Sequence, residues 1–324
     1  MTSVRPAGRR IANEIFYQAI AAAQQAPSAH DAQPWRWKVT NGVLDLFLHI
    51  EPPPGLPAPD GRLATIGCGA ALHHARLTLA AGGWRVTTTR LPDPTEPAHL
   101  ARLHLDGPAP VSPGTTGLAR IIELRRTDRR PVTGRPITPE QLSTIRAAFE
   151  SQHVRLAVLR PDQILGLAVA TSHTGSLEPA DRQWQSELAL WAGGDRIVGA
   201  PHHLSLPVTR DGHDRAATFV VLHGPGDQSR DWLHAGEALS AGSLVAAELG
   251  VSTLPFSAPI EHERARAILR DAVPDLGCLY LMARLGHHST EADQRTDPAD
   301  DNRTRDHPAD DPMCPAWTDR PGPA

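Results

Sequence analysis

A chain of 324 residues with 40% hydrophobic and 21% charged side chains can bury one large core or two ordinary ones without disulfide or metal staples. Its formal charge of -4 gives no basic footprint for nucleic acid, and no apolar run is long enough to span a bilayer. Cys68, Cys278 and Cys314 are odd in number and form no CxxC pair; with no signal-peptide pattern at the N-terminus, a cytoplasmic protein with unpaired thiols is expected.

In chain order, the spacing predicts a helix over Asn13–Gln25 and a strand or hairpin over Val39–Ile50 that turns at Asn41-Gly42. PPPGLPAPDG breaks the pattern. A long small-residue helix over Leu63–Ala81 follows and ends at Gly82-Gly83, where glycine suits a left-handed cap. PAPVSPGTTG, from Pro108 to Gly117, reads as a linker. Beyond it come a helix running into RRTDRRP, a helix over Pro139–Glu150 and a strand at RLAVL. TFVVLHG reads as a strand, Trp232–Leu249 as a helix and CLYLMARLG as a final strand. From His287 onward the chain is rich in Asp, Pro, Thr and Arg, with little to bury against its ordering entropy, so a disordered tail over 287–324 is expected.

CGAALHHARLTLAAGG from Cys68 and AGEALSAGSLVAAELG from Ala235 share Gly, Ala, Leu and terminal Gly at matching positions, and each precedes a strand-like run. Two related halves would explain this, although alanine-rich helices also match by accident.

Two stretches are candidates for chemistry. RRTDRR, Arg125 to Arg130, sets four arginines together; either it is a solvated basic face, or an anion such as phosphate relieves their mutual repulsion. APSAHDAQPWRW, Ala26 to Trp37, joins a helical run to a strand-like one. Local turn bonds from Ser28 and Asp31 and packing of Trp35 and Trp37 explain most of it, but a turn has no need of His30 or Gln33. GCGAAL at Gly67 lacks the last glycine and the preceding strand of a dinucleotide fingerprint. The pairs His73/His74, His202/His203 and His287/His288 lack metal-ligand spacing, so no metal site is expected. No nucleophile elbow or Walker loop is present, so chemistry without a protein nucleophile fits better.

APSAHDAQPWRW, IGCGAAL, GGWRVTTTRLPDP, RRTDRRP, WLHAGEAL, PFSAPIE and LMARLG occur in one order over most of the chain up to Gly286, and together resemble the Acg-like, dormancy-associated branch of the nitroreductase superfamily. The resemblance implies an α+β fold in which two related halves, 1–117 and 118–286, form a fused pseudo-dimer around one FMN site. The loop occurs only in the first half and the arginine motif only in the second, so one complete site per chain follows. By position, Arg125, Thr127 and Arg129 match phosphate-binding residues, supported by Arg126 and Arg130. Ser28, His30 and Gln33 match the flavin-side loop, Leu254 and Pro255 the segment at the ring edge, and Arg284 a basic residue near the family's C-terminal end. Asp31 stands where relatives commonly have Asn, and Leu254 and Ala258 where they often have Ser and Gln. The implied function is an FMN-dependent NAD(P)H oxidoreductase acting through flavin N5 on a small acceptor, with no catalytic side chain required and a monomer sufficient. The alternative is an FMN-sequestering stress protein of weak turnover.

Overall fold

The computed structural model describes residues 6–50, 61–128, 132, 135–160, 163, 216–257, 260, 263–273 and 275–287. Helix α1 spans Pro6–Ala23, starting earlier than the expected Asn13 because proline in a first turn needs no N–H donor. After a 3-10 turn at Ala29–Asp31, β1 (Trp35–Thr40) and β2 (Val43–Leu48) form a hairpin. Its turn residues Asn41 and Gly42 have φ of 52° and 79°, the paired positive values that match the twist of the flanking strands. The first strand begins at Trp35 and not at Val39, so both tryptophans belong to the sheet.

Helix α2 (Gly61–Ala81) leads into β3 (Trp84–Arg90) and β4 (His99–Pro108), completing an antiparallel sheet of order β1-β2-β4-β3. The expected linker is in part a helix: α3 spans Pro113–Leu124, capped by Ser112, whose Oγ accepts from the Thr115 N–H at 3.1 Å. Ser-Pro-Gly signals a break, yet Ser at the cap and Pro in the first turn also start helices, and tertiary packing decides between them. Helix α4 occupies Pro139–Glu150 as expected, with Thr138 and Gln141 forming a reciprocal capping box.

Strands β5 (Arg155–Val158) and β6 (Thr218–Gly224), helix α5 (Ser229–Glu248), β7 (Ser252–Phe256), helix α6 (Glu263–Ala272) and β8 (Cys278–Gly286) build the second half. Its sheet, β5-β6-β8-β7, repeats the strand order of the first. Strand β8 is buried along nearly its whole length, because α5 covers one face of the sheet and Leu269 of α6 joins a cluster on the other. This is why CLYLMARLG is almost continuously apolar, with Arg284 the conspicuous exception. His287 departs from the expected tail: it is buried, its Nδ1 lies 2.9 Å from the Gly250 carbonyl, and residues 288–324 lie outside the described residues.

The two halves meet chiefly along α2 and α5. Both helices are buried on nearly every side, and their small residues allow the backbones to come close. A Cβ on Gly69 would meet the Leu233 carbonyl, and one on Gly236 would meet that of Ile66, so this crossing requires glycine in both helices. We therefore expect Gly236→Ala to cost about 1–3 kcal/mol in urea unfolding, with secondary-structure content unchanged. A mutant as stable as the parent would contradict the packing.

Candidate functional site

The segment after α1 folds back on itself through its polar side chains. Trp35 Nε1 donates to Gln24 Oε1 at 2.7 Å, Gln33 Nε2 to the Gln24 carbonyl at 3.2 Å, and the Gln33 N–H to Ser28 Oγ at 3.1 Å. Asp31 and Gln33 have φ of 55° and 44°, left-handed backbone that costs non-glycine residues roughly 1–3 kcal/mol and tends to be kept where function requires it. The loop sits on α2 at Gly67, where a Cβ would stand 3.3 Å from that of Ser28 and 3.5 Å from Pro34 Cγ. Cys68 beside it donates its thiol to the Pro34 carbonyl at 3.0 Å, and burial pushes that thiol's pKa up, so it stays protonated. The glycines of GCGAAL are thus packing devices, Gly67 for the loop and Gly69 for α5.

At the end of α3 the chain turns extended at Arg125, which reaches across to this loop. Its Nη2 donates to the Gln25 carbonyl at 3.0 Å and its Nη1 to Thr127 Oγ1 at 3.4 Å. Burial first and the charge of Arg126 second push its pKa down to about 10, while the Asp31 carboxylate opposes this. Its buried Nε has no partner among the described residues. A half-buried guanidinium with a spare donor suits an anion. Arg126 points the other way: its Nη1 donates to the Glu123 and Arg125 carbonyls at 2.7 and 2.8 Å, capping α3.

The far side of the arginine motif rests on the second sheet. Arg284, buried on β8, donates to the Asp128 carbonyl at 3.2 Å, and Val132 packs against Gly286. Leu254 pairs with Arg284 across β7 and β8, and Pro255 with Ala283. Residues 125–128 are thereby held between the first-half loop and β7–β8, bringing Ser28, Gln33, Arg125, Thr127, Leu254, Pro255 and Arg284 into one region. Arg129, Arg130, Ala258 and the side chain of His30 lie outside the described residues.

Sequence reasoning missed His74. It lies fully buried on α2, with Nδ1 3.2 Å from the Ala22 carbonyl. Burial, then the Arg125 charge, lowers its pKa to about 3. The unfolded chain takes up this proton near 6.5 and the folded chain only near 3, so the contribution of neutral His74 is intact above 6.5 and lost as pH falls towards 3. His74→Gln should therefore lose about 2 kcal/mol less stability than the parent between about pH 6.5 and 5, measured by urea unfolding. Equal losses in both proteins would contradict this burial.

Other charged groups lie apart from this region. Glu237, fully buried on α5, accepts from Arg90 Nε at 2.9 Å and from Arg76 Nη1 at 2.6 Å. On the first sheet, a depression of about 540 Å³ is lined by Lys38, Phe47 and Arg102 among others, and the buried Asp45 in its floor already bonds His99 and Arg102.

No protein-family model matches the chain. The Acg protein of Mycobacterium tuberculosis strain H37Rv, whose name describes a proposed NAD(P)H nitroreductase, is 30% identical over 298 residues, covering 85% of this chain and 90% of the relative. A second protein of that strain, named in the same way, is 30% identical over 308 residues, covering 86% and 87%. Similar solved structures include the nitroreductase with bound FMN from Bacteroides fragilis, at 16% identity and a TM-score of 0.37, covering 53% of this chain and 88% of that one. Another is a nitroreductase with bound FMN from Desulfitobacterium hafniense, at 18% and 0.38, covering 54% and 90%. The sequence relatives, matched over most of both chains, decide the assignment: the chain belongs to the Acg-type NAD(P)H nitroreductase family.

Proposed function

We propose that this protein is an FMN-dependent NAD(P)H oxidoreductase with one flavin site per chain, placed between the first-half loop and the arginine segment. The observation that carries the reading is Arg125: half-buried, its charge disfavoured by burial and by Arg126, its Nε without a partner among the described residues, and held against Gln25 of the opposite half. A phosphate there would accept from the guanidinium and reverse its unfavourable burial. Arg125 and Thr127, with Arg129 of the same motif, would hold the phosphate. The 28–33 loop and Leu254–Pro255 would flank the ring system, and Arg284 would keep the arginine segment seated on β8. Bound FMN supplies hydride acceptance and donation at N5; the chain binds, orients and limits access. Electrons would come from NADH or NADPH and pass to a small acceptor.

The fused pseudo-dimer reading is supported by the repeated strand order and by the α2–α5 crossing. There His73 Nδ1 lies 2.8 Å from Ser240 Oγ, 167 positions on, and Gly69 meets Gly236 at the same spacing. Equivalent residues touching one another is what a two-fold interface produces. The junction of the halves then falls ahead of α3, at residues 109–112, because a boundary after 117 would cut that helix.

The test is anaerobic stopped-flow mixing of the FMN-loaded protein with NADPH or NADH. Bleaching of the flavin absorbance within seconds supports the oxidoreductase; persistent colour on mixing with both donors supports sequestration instead. Asp31 is exposed, so its charge is screened, and Asp31→Asn should change the bleaching rate by less than about twofold. A clear acceleration would place that carboxylate against the flavin.

A further inference from the structure

His74 and Arg125 converge from different elements on the C-terminal end of α1 and the turn that follows it. His74 bonds the carbonyl of Ala22, in the last turn of α1, and Arg125 that of Gln25, three residues on in the turn just after the helix. Because a carbonyl only accepts, the His74 Nδ1 must carry the ring hydrogen, which leaves Nε2 as a bare acceptor. That acceptor is buried and meets no donor among the described residues. Nearby, the buried Nε–H of Arg125 meets no acceptor among them. Two buried orphans of opposite kind at one helix end are a costly arrangement unless another state of the site joins them.

We propose that His74 is the positioning residue for Arg125: its Nε2 accepts the Arg125 Nε–H and so turns the remaining guanidinium edge outward to a phosphate. The inference rests on the phosphate reading of Arg125 above. Arginine binds an oxyanion best with two parallel donors, and fixing Nε on a protein acceptor leaves the Nη1/Nη2 edge for that purpose. Among the described residues, Nη1 and Nη2 hold a long contact to Thr127 and a single carbonyl, both exchangeable for phosphate oxygens. His74 suits the task because it cannot protonate near neutral pH and repel the arginine.

The experiment compares FMN with riboflavin, which lacks the phosphate, on parent, His74→Phe and His74→Gln proteins. His74→Phe keeps volume and loses the acceptor, and should weaken FMN about tenfold while leaving riboflavin unchanged. His74→Gln keeps an acceptor oxygen and should restore FMN to within a few-fold of the parent. Unchanged FMN affinity in His74→Phe, or equal weakening of FMN and riboflavin, overturns the proposal. A second readout needs neither flavin nor a His74 variant: in 15N-histidine spectra of the parent, inorganic phosphate should move the His74 Nε2 resonance upfield, as expected for an accepted hydrogen bond, and should not do so in Arg125→Lys. If the parent binds FMN and riboflavin equally, the FMN-phosphate reading fails, yet the shift still supports the His74–Arg125 pair. If FMN binds selectively and the resonance does not move, the flavin reading stands and the pair is wrong.

Discussion

Replacing Arg125 and Arg129 together by alanine is expected to weaken FMN by about two to four decades while leaving the fold intact. On the proposed reading each arginine would contribute a charge-assisted contact of roughly 1.5–3 kcal/mol, and two such losses would give roughly 3–6 kcal/mol. The fold should survive because, among the described residues, Arg125 is held by one carbonyl and one long hydroxyl contact, and its charge is disfavoured where it sits. Without a ligand, the alanine chain is relieved of that burial. Equilibrium dialysis checks affinity and circular dichroism checks the fold. A folded double mutant that keeps FMN as tightly as the parent would remove the arginine segment from the site.

Glu237→Ala acts in the opposite way, on stability first. Its carboxylate is fully buried and binds Arg90 through both oxygens and Arg76 through one, tying α5 of the second half to α2 and β3 of the first. Removing it leaves two cations facing each other, Arg90 with only 18% of its side chain exposed and Arg76 with 33%. Breaking a buried pair in this way costs about 3–5 kcal/mol, with the Arg76 share reduced by solvent screening. Replacing Arg76 as well, in a Glu237→Ala/Arg76→Leu double mutant, should recover part of the loss, because fewer charges then remain unanswered. Urea midpoints measure both, and a single mutant within about 1 kcal/mol of the parent would contradict the triad's structural role.

Much of the framework was legible where local chemistry is unambiguous. Asn41-Gly42 specifies one kind of hairpin turn, and Thr138-Pro139 followed by Gln141 specifies a helix start, so both elements lie where the pattern put them. The helix running into RRTDRRP was expected, but the first turn of α3, Pro113–Gly117, was read as linker because Ser, Pro and Gly serve caps and turns alike, and only packing against α2 and α5 selects the helix. Strand β4 and helix α6 were not foreseen: β4 carries Gly107 and ends at Pro108, residues depleted in strands, and much of α6 is charged.

The candidate site was legible as residue types and not as roles. Four arginines suggest an anion, but the count does not reveal that Arg126 caps a helix while Arg125 crosses to Gln25. His74 was legible only as one of a histidine pair, since its significance lies in burial and in an unanswered lone pair, both products of tertiary structure. The matching helices, by contrast, pointed to a relation that the repeated sheet order supports independently.

The most direct test of the central claim is a titration of the purified full-length chain with FMN, followed by the change in flavin fluorescence at protein concentrations well above the dissociation constant. A single break at one FMN per chain is the predicted result. Two equivalent sites, or no saturable binding, would contradict the account.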